Sequence, residues 1–509
     1  MTEPGDQPLT RRAAREASAA KPARQPKPAR QPRIDPQTGE PVESTGLAAL
    51  IARHPRIWIG ATAGVAFLVL ATTAVALGIR AGSTPTATSP TGEVVEIPQR
   101  AVPGSPFAAT DLRTCSVQSL TSDPALKTLR GSVIDASSGE SLLSIDGDKP
   151  SRTASVLKVL TAAAALDKLG PDYRLTTSVF EGSAPGTIVL VGGGDSTLSR
   201  LESGESVYKG AAKISTLANQ VVAAYAVAYP ETPITSIVVD ATLWSPADNW
   251  LASWPTSDLT TGYLSKVTAL QVDGDRKDPT QAVSPRSADP IGRAGKAFAE
   301  AIATASGQPV AAVTTGKVTS TAKLGEVTSQ PVSTLVNQML LTSDGTLAET
   351  LARVVSVKMG LDGSSASVGQ AIPSAIGGLG PDTSTITVAD GSGLSKKNAV
   401  SPAFMASFMA QVRGGQDQLN YVYNSLSVAG ETGGLTERFL TSDAKGKVVA
   451  KTGHIGTAYT LSGVIEAKDG TALAFAFYAI GEGIGPAAVP AIDALVEGVY
   501  ECGDNLANA

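Results

Sequence analysis

Ser155 and Lys158 stand three residues apart at the start of an Ala- and Leu-rich run, ASVLKVLTAAAALDKLG. On a helix this spacing puts both side chains on one face with Cβ atoms about 5–6 Å apart, within reach of a hydroxyl–amine hydrogen bond. A lysine held near a helix N-terminus and partly desolvated has its cationic form disfavoured on both counts, so it can serve as a neutral base toward a serine nucleophile. The pattern alone is unselective, because Ser-x-x-Lys also occurs at Ser18, Ser206, Ser320 and Ser442. Two further groups follow it in order. Ser343-Asp344-Gly345 lies in LLTSDGTLAETLARVV, where the serine is expected to start a helix as its N-cap, with Glu349 in the following turns. Lys451-Thr452-Gly453 ends a strand-like run, with glycine allowing close approach of a substrate backbone, lysine supplying charge and threonine a hydroxyl.

The elements that must position these groups read as an α+β fold. The stretch GSVIDASSGESLLSID is a hairpin around Ser-Ser-Gly-Glu, and the Ala-rich helix after it is stopped by Gly170-Pro171. Near the other end, GKVVAKTGHIGTAYTLSGVIEAKDGTALAFAFYAIG gives three strands, with Lys468-Asp469-Gly470 turning the last two, and a helix closes the chain from about Pro486 to Tyr500. Two early and three late strands predict one five-stranded antiparallel sheet flanked by helices, closed by pairing of the first and last segments. The main α+β domain is expected over 111–175 and 330–509. Residues 176–329 mix strand-like runs (TIVLVGG, ITSIVVDATLW, VTALQV) with helical ones, and are expected to form a smaller inserted α/β-mixed domain.

Composition narrows the chemistry. The 509 residues are 42% hydrophobic and include two Cys and two His, which excludes disulfide scaffolds and zinc-finger arrays. With His54 and His454 as the only histidines, a His-based triad is nearly excluded, and the sequence offers no plausible His or Cys metal cluster. The net charge of −5 argues against a nucleic-acid partner. Residues 57–79, IWIGATAGVAFLVLATTAVALGI, carry no charge and are bracketed by Arg56 and Arg80. At about 1.5 Å per residue they span about 35 Å, the length of an uncleaved transmembrane helix. Residues 1–56 carry ten Lys or Arg against six Asp or Glu in a Pro-rich tract, so the rest of the chain carries −9. The tract reads as a disordered cytoplasmic tail, residues 80–110 as a linker, and the remainder as extracytoplasmic, with the protein held at the cell membrane by a single pass. Cys115 and Cys502 suit that compartment: one disulfide would pin the first element to the last helix, two unrelated buried thiols being the alternative.

Taken together, the three motifs resemble the Ser-x-x-Lys, Ser-x-Asn and Lys-Thr-Gly set of penicillin-binding proteins and serine β-lactamases. The wider match is similar to one branch, the D-alanyl-D-alanine carboxypeptidase/endopeptidase family of penicillin-binding protein 4 type. It rests also on Gly193-Gly194-Asp195-Ser196-Thr197-Leu198, on Leu347-Ala348-Glu349, and on Asp390-Gly391-Ser392-Gly393-Leu394-Ser395, and covers roughly residues 120 to 500. The resemblance implies acyl transfer without a cofactor. Ser155 would attack the terminal D-Ala-D-Ala bond of peptidoglycan stem peptides, Lys158 would accept its proton, and Ser343 would help return a proton to the departing D-alanine. Lys451 and Thr452 would hold the terminal carboxylate, and the N–H groups of Ser155 and His454 the oxyanion, with β-lactams as acylating inhibitors. Asp195 has two readings: the family's acidic residue facing the amino group of the peptide's diamino acid, or a cap on its own glycine-rich turn.

The match departs from the family at two places. Gly345 replaces the asparagine that bonds the substrate amide and orients the lysine, and His454 replaces a small hydroxyl residue. Losing one such hydrogen bond costs about 1–3 kcal/mol. A penicillin-recognising scaffold or sensor without turnover therefore stays open as a second reading. A β-lactamase fits less well, since no deacylating glutamate loop is recognisable.

Overall fold

A computed structural model describes residues 113–507. The expected tail (1–56), membrane helix (57–79) and linker (80–110) lie outside these residues, and among the described residues no helix is long and apolar enough to cross a membrane.

Thr128–Asp135 (β1) and Ser141–Ile145 (β2) form the expected first hairpin. Its turn closes because Asp135 Oδ1 accepts from the N–H groups of Ser137 and Ser138, at 2.9 and 2.6 Å. Lys158–Leu169 (α1) follows, but Ala154–Leu157, expected within the same helix, is a 3-10 turn. Ala154 sits at φ 46°, outside the right-handed region, so an α-helix cannot begin through it.

The segment expected as an insertion builds its own sheet. Thr176–Glu181 (β3), Thr187–Val191 (β4), Ser236–Asp240 (β5), Ala312–Thr315 (β6) and Lys323–Thr328 (β7) run in the order β6-β5-β4-β3-β7, parallel from β4 to β6 and antiparallel about β3. Ile214–Ala228 (α2) and Pro290–Ser306 (α3) accompany them. The run VTALQV, expected to be a strand, is irregular. Its apolar side chains are buried, but its backbone bonds loops instead of a ladder: Val267 N–H donates to Asn249 and Ala269 C=O accepts from Gly194.

Val332–Thr342 (α4), Gly345–Lys358 (α5), Ser365–Gly378 (α6) and Pro402–Gly414 (α7) come next. Ser427–Val428 (β8), Val448–Ile455 (β9), Ala458–Glu466 (β10), Ala472–Ile480 (β11) and Ala488–Cys502 (α8) complete the chain. The first sheet is antiparallel, in the order β2-β1-β11-β10-β9-β8, and β1 pairs with β11 as expected. It has six strands where five were expected. The extra one, β8, is two residues long and pairs only with Val449 and Ala450 of β9, too short to leave a sequence period.

Central β11 shows why this sheet needs cover on both faces. Successive strand side chains point to opposite sides. Ala474, Ala476 and Tyr478 join a core with α1, α4, α5, α7 and the second sheet, whereas Leu473, Phe475 and Phe477 join another with Leu495, Val496 and Val499 of α8. The segment 176–328 therefore shares a core with the helical layer. Cys115 is bonded to Cys502, Cα atoms 5.4 Å apart, tying the first described residues to the end of α8.

Candidate active site

The three motifs converge on one cleft of about 810 Å3 whose lining includes Ser155, Lys158, Ser343, Thr452, Gly453 and His454. Ser155 lies in the 3-10 turn and Lys158 is the first residue of α1, so the turn replaces the helical face expected from the spacing and still brings the side chains together. Nζ of Lys158 is 2.9 Å from Ser155 Oγ and donates to the Ser392 carbonyl at 2.7 Å. Lys158 is 1% exposed. Burial drives its pKa down to about 8, against the opposing fields of Asp390, Glu349 and Asp344.

Ser343 does not start a helix, contrary to expectation. It ends α4 at φ 57°, ψ 35°, and Asp344 caps α5, its Oδ1 accepting from Leu347 N–H at 3.0 Å. The carboxylate meets that N–H from the N-cap position, where Asp and Ser serve equally, and Ser343 Oγ is left free to turn to the cleft. There it accepts from Lys451 Nζ at 3.1 Å, while the same ammonium donates to the Thr452 carbonyl at 2.9 Å. Burial first, and the charge of Lys158 second, push the Lys451 pKa well below the usual lysine range. A non-glycine residue held in the left-handed region costs of order 1–3 kcal/mol and persists only where its surroundings over-determine it.

The surroundings that hold Ser343 come largely from the segment 176–329. Asp344 Oδ2 accepts from Arg276 Nη2 and from Tyr208 Oη, each at 2.8 Å, and Arg276 Nη1 donates to the same phenol at 2.8 Å. Burial alone would raise the Asp344 pKa, but Arg276 and Arg286 overcome it and hold the carboxyl well below the ordinary range. Motif spacing gave no sign of these three partners, which lie 58 to 136 residues upstream.

Thr452, Gly453 and His454 lie in β9, which runs on to Ile455. A Cβ at Gly453 would come 2.2 Å from Thr460 Oγ1 and 2.9 Å from Ser155 N, so only glycine lets the strand pass the Ser155 amide this closely. Strand alternation sets Thr452 and His454 on one face. The His454 ring stacks on Tyr459 at 4.2 Å, and partial burial lowers its pKa. The histidine thus extends an aromatic ledge along the cleft.

Asp195 takes the capping reading. It is 2% exposed, its Oδ1 accepts from Thr197 N–H and Oγ1 at 2.7 and 2.6 Å, burial raises it to about 6, and it does not line the cleft. The acidic side chain that this segment does offer to the cleft is Asp258, partly exposed and raised by desolvation. Its signal was the tryptophan-rich stretch before it: Trp254 packs edge-on against Trp250 at 5.3 Å and donates to Asp390 Oδ2 at 2.8 Å, fastening the segment to the site. Exposed Lys396 also lines the cleft. Among the described residues no group of His, Cys, Asp and Glu is placed to hold a metal ion.

A nucleophile-ready hydroxyl, a buried amine at hydrogen-bond distance and a second hydroxyl held by another lysine are the parts of a serine acyl-transfer site. The model of the D-Ala-D-Ala carboxypeptidase 3 (S13) family matches residues 114–282 and 276–499, and the chain belongs to that family. It is 34% identical over 388 residues to carboxypeptidase DacB of Mycolicibacterium smegmatis, covering 75% of this chain and 82% of that one. To a carboxypeptidase of Mycobacterium tuberculosis it is 33% identical over 436 residues, covering 84% of this chain and 91% of the relative. Its fold is similar to that of penicillin binding protein 4 from Haemophilus influenzae, with a TM-score of 0.62 at 19% identity over 75% of this chain and 99% of that one.

Arg276→Ala would leave a buried, unpaired Asp344 carboxylate beside Ser343. Breaking such a pair costs about 3–5 kcal/mol. Urea denaturation should show a loss of that size; a variant as stable as the parent would mean that the pair does not hold the motif.

Proposed function

We propose that the serine-type D-Ala-D-Ala carboxypeptidase activity of this family runs in this chain through an acyl-enzyme on Ser155. The observation that carries the reading is the buried 2.9 Å contact between Lys158 Nζ and Ser155 Oγ, beside a Ser343 hydroxyl held by Lys451. In its neutral form the lysine turns its lone pair to the serine hydroxyl. Ser155 Oγ bonds to the carbonyl carbon of the penultimate D-alanine as its proton passes to Nζ, and the oxyanion accepts from the N–H groups of Ser155 and His454. The C–N bond then breaks. The departing amine of D-alanine takes back a proton through Ser343, and water releases the shortened stem peptide and restores the serine.

Lys451 and Thr452 would bind the terminal carboxylate. Asp258, in place of Asp195, would face the amino group of the diamino acid, since it is the acid of its segment that reaches the cleft. The same bond cleavage on a cross-link, with a neighbouring strand's amine as leaving group, would be endopeptidase action. A β-lactam follows the first step only: its ring opens on Ser155 and no fragment departs, so the ester persists.

We further propose that residues 57–79 anchor the protein in the cell membrane with residues 1–56 inside and the enzyme outside. The Cys115–Cys502 bond supports this, because disulfides persist in oxidising compartments.

Purified protein incubated with benzylpenicillin should gain one adduct by intact mass and release D-alanine from a stem pentapeptide, while Ser155→Ala does neither. An adduct that survives Ser155→Ala, or none on folded wild type, would contradict the mechanism. Protease added to intact cells should remove the catalytic part and spare the tail; full protection of the catalytic part would reverse the topology.

A further inference from the structure

Lys158 has a second partner besides the nucleophile, and that partner is itself held from α5. The Ser392 carbonyl accepts from Nζ at 2.7 Å. Ser392 belongs to a tight loop, Asp390 to Ser395, that packs on the nucleophile's turn so closely that a Cβ at Gly393 would come 1.9 Å from the Ala154 carbonyl oxygen. Three groups fix this loop. Thr161 Oγ1 donates to the Gly391 carbonyl at 2.6 Å. Asp390 folds back on its own loop, accepting from Gly393 N–H at 2.7 Å and Ser395 N–H at 2.6 Å. Glu349 reaches in from α5, its Oε1 accepting from Ser392 N–H at 2.7 Å and its Oε2 from Gly391 N–H at 3.2 Å.

Glu349 is unusual among these. It is 2% exposed, it accepts from the two backbone N–H groups with the Ser392 side chain adding to the hold, and Asp390 is close enough to repel it. Burying a carboxylate beside another is costly, and a neutral acceptor would serve if the loop needed only to be tied down. Its placement makes sense of the cost. Glu349 lies little more than one turn along the helix whose first residue is Gly345 and whose cap is Asp344, so the held Ser343 stands just before the cap of α5 and the grip on the base's partner lies in its first turns.

We propose that Glu349 is a positioning residue for the general base: by holding the N–H groups of Gly391 and Ser392 it sets the Ser392 carbonyl against Lys158 and so aims Nζ at Ser155. This does for the lysine what the resemblance assigns to an asparagine at 345, a position where glycine has no side chain to offer. The inference rests on the reading of Ser155 and Lys158 as nucleophile and base. The charged groups facing Lys158 are Asp390, Glu349, Asp344 and Lys451, and those facing Glu349 are Asp390 and Arg353. With Glu349 ionised, its charge favours the ammonium form of Lys158, so neutralising it lowers the lysine's pKa.

The test measures the benzylpenicillin acylation rate against pH on full-length wild type, Glu349→Gln and Glu349→Asp, with folding checked by circular dichroism. Glutamine turns an N–H2 toward the Gly391 N–H, and aspartate falls short by a methylene. Both variants are expected to acylate at least tenfold more slowly at the plateau, with saturation by the drug changed less than threefold. The acidic limb of the profile should move to lower pH in Glu349→Gln and stay in place in Glu349→Asp, which keeps the charge. A folded variant with the wild-type plateau overturns the proposal, as does a slowed Glu349→Gln whose limb has not moved; if the glutamine variant does not fold, the plateau of Glu349→Asp decides. Failure of the acyl-enzyme reading itself would show separately, as a wild type that forms no adduct.

Discussion

Taking the Lys158 amine out of water is the constraint around which this site is organised. In water a lysine is almost wholly protonated near neutrality and cannot accept a proton from serine. Buried here, with its pKa brought down to about 8, it gains roughly two orders of magnitude in its neutral fraction near pH 7. Desolvation that strong must be confined to the charged form, so the surroundings offer the amine two oxygens, Ser155 Oγ and the Ser392 carbonyl, and no direct ion pair. The neighbouring carboxylates limit the shift without cancelling it. The fold supplies the dry environment through the core shared by α1, α5, α7 and the inner face of β11.

The second constraint is the close approach of three backbones. The turn carrying Ser155 is bounded on one side by β9 at Gly453 and on another by the loop at Gly393, and at both places a Cβ would collide with the turn's own atoms. Ser343 arrives from a third direction in a left-handed conformation that it would not adopt alone, and the buried Asp344, Arg276 and Tyr208 cluster maintains it. The segment 176–329 thereby takes part in the chemistry in two ways. It braces the second motif through Arg276 and Tyr208, and it brings Asp258 to the cleft through a loop fastened to Asp390 by Trp254. Gly345 matters less than its loss of an amide suggests, because α5 holds the lysine's other partner through Glu349.

The parts of this arrangement that were legible in the sequence are those written locally. The hairpin of β1 and β2, the three late strands and the closing helix follow from turn residues and two-residue alternation, and the motifs identify Ser155, Lys158, Ser343, Lys451 and Thr452 because their chemistry depends on short spacings. What the sequence hid depends on long-range packing. The 3-10 turn at Ala154–Leu157 is imposed by the backbones around it, and nothing in an Ala- and Leu-rich run announces it. Asp344 displaced Ser343 as the helix cap because the serine hydroxyl is taken by Lys451, which lies 108 residues further along. Asp195 and Asp258 both sit in turn-forming contexts, and only the folded positions tell which carboxylate is spent on its own turn.

The central claim, that burial turns Lys158 into the base for Ser155, is tested most directly by the pH dependence of the acylation rate of wild-type protein by benzylpenicillin. A base that must be neutral makes the rate rise with pH and level off above its own pKa. The account predicts an acidic limb with its midpoint near pH 8. A rate that is flat from pH 5 to 9, or that still climbs without bending past pH 10, would mean that the proton is accepted by some other group or by a lysine that burial has not altered.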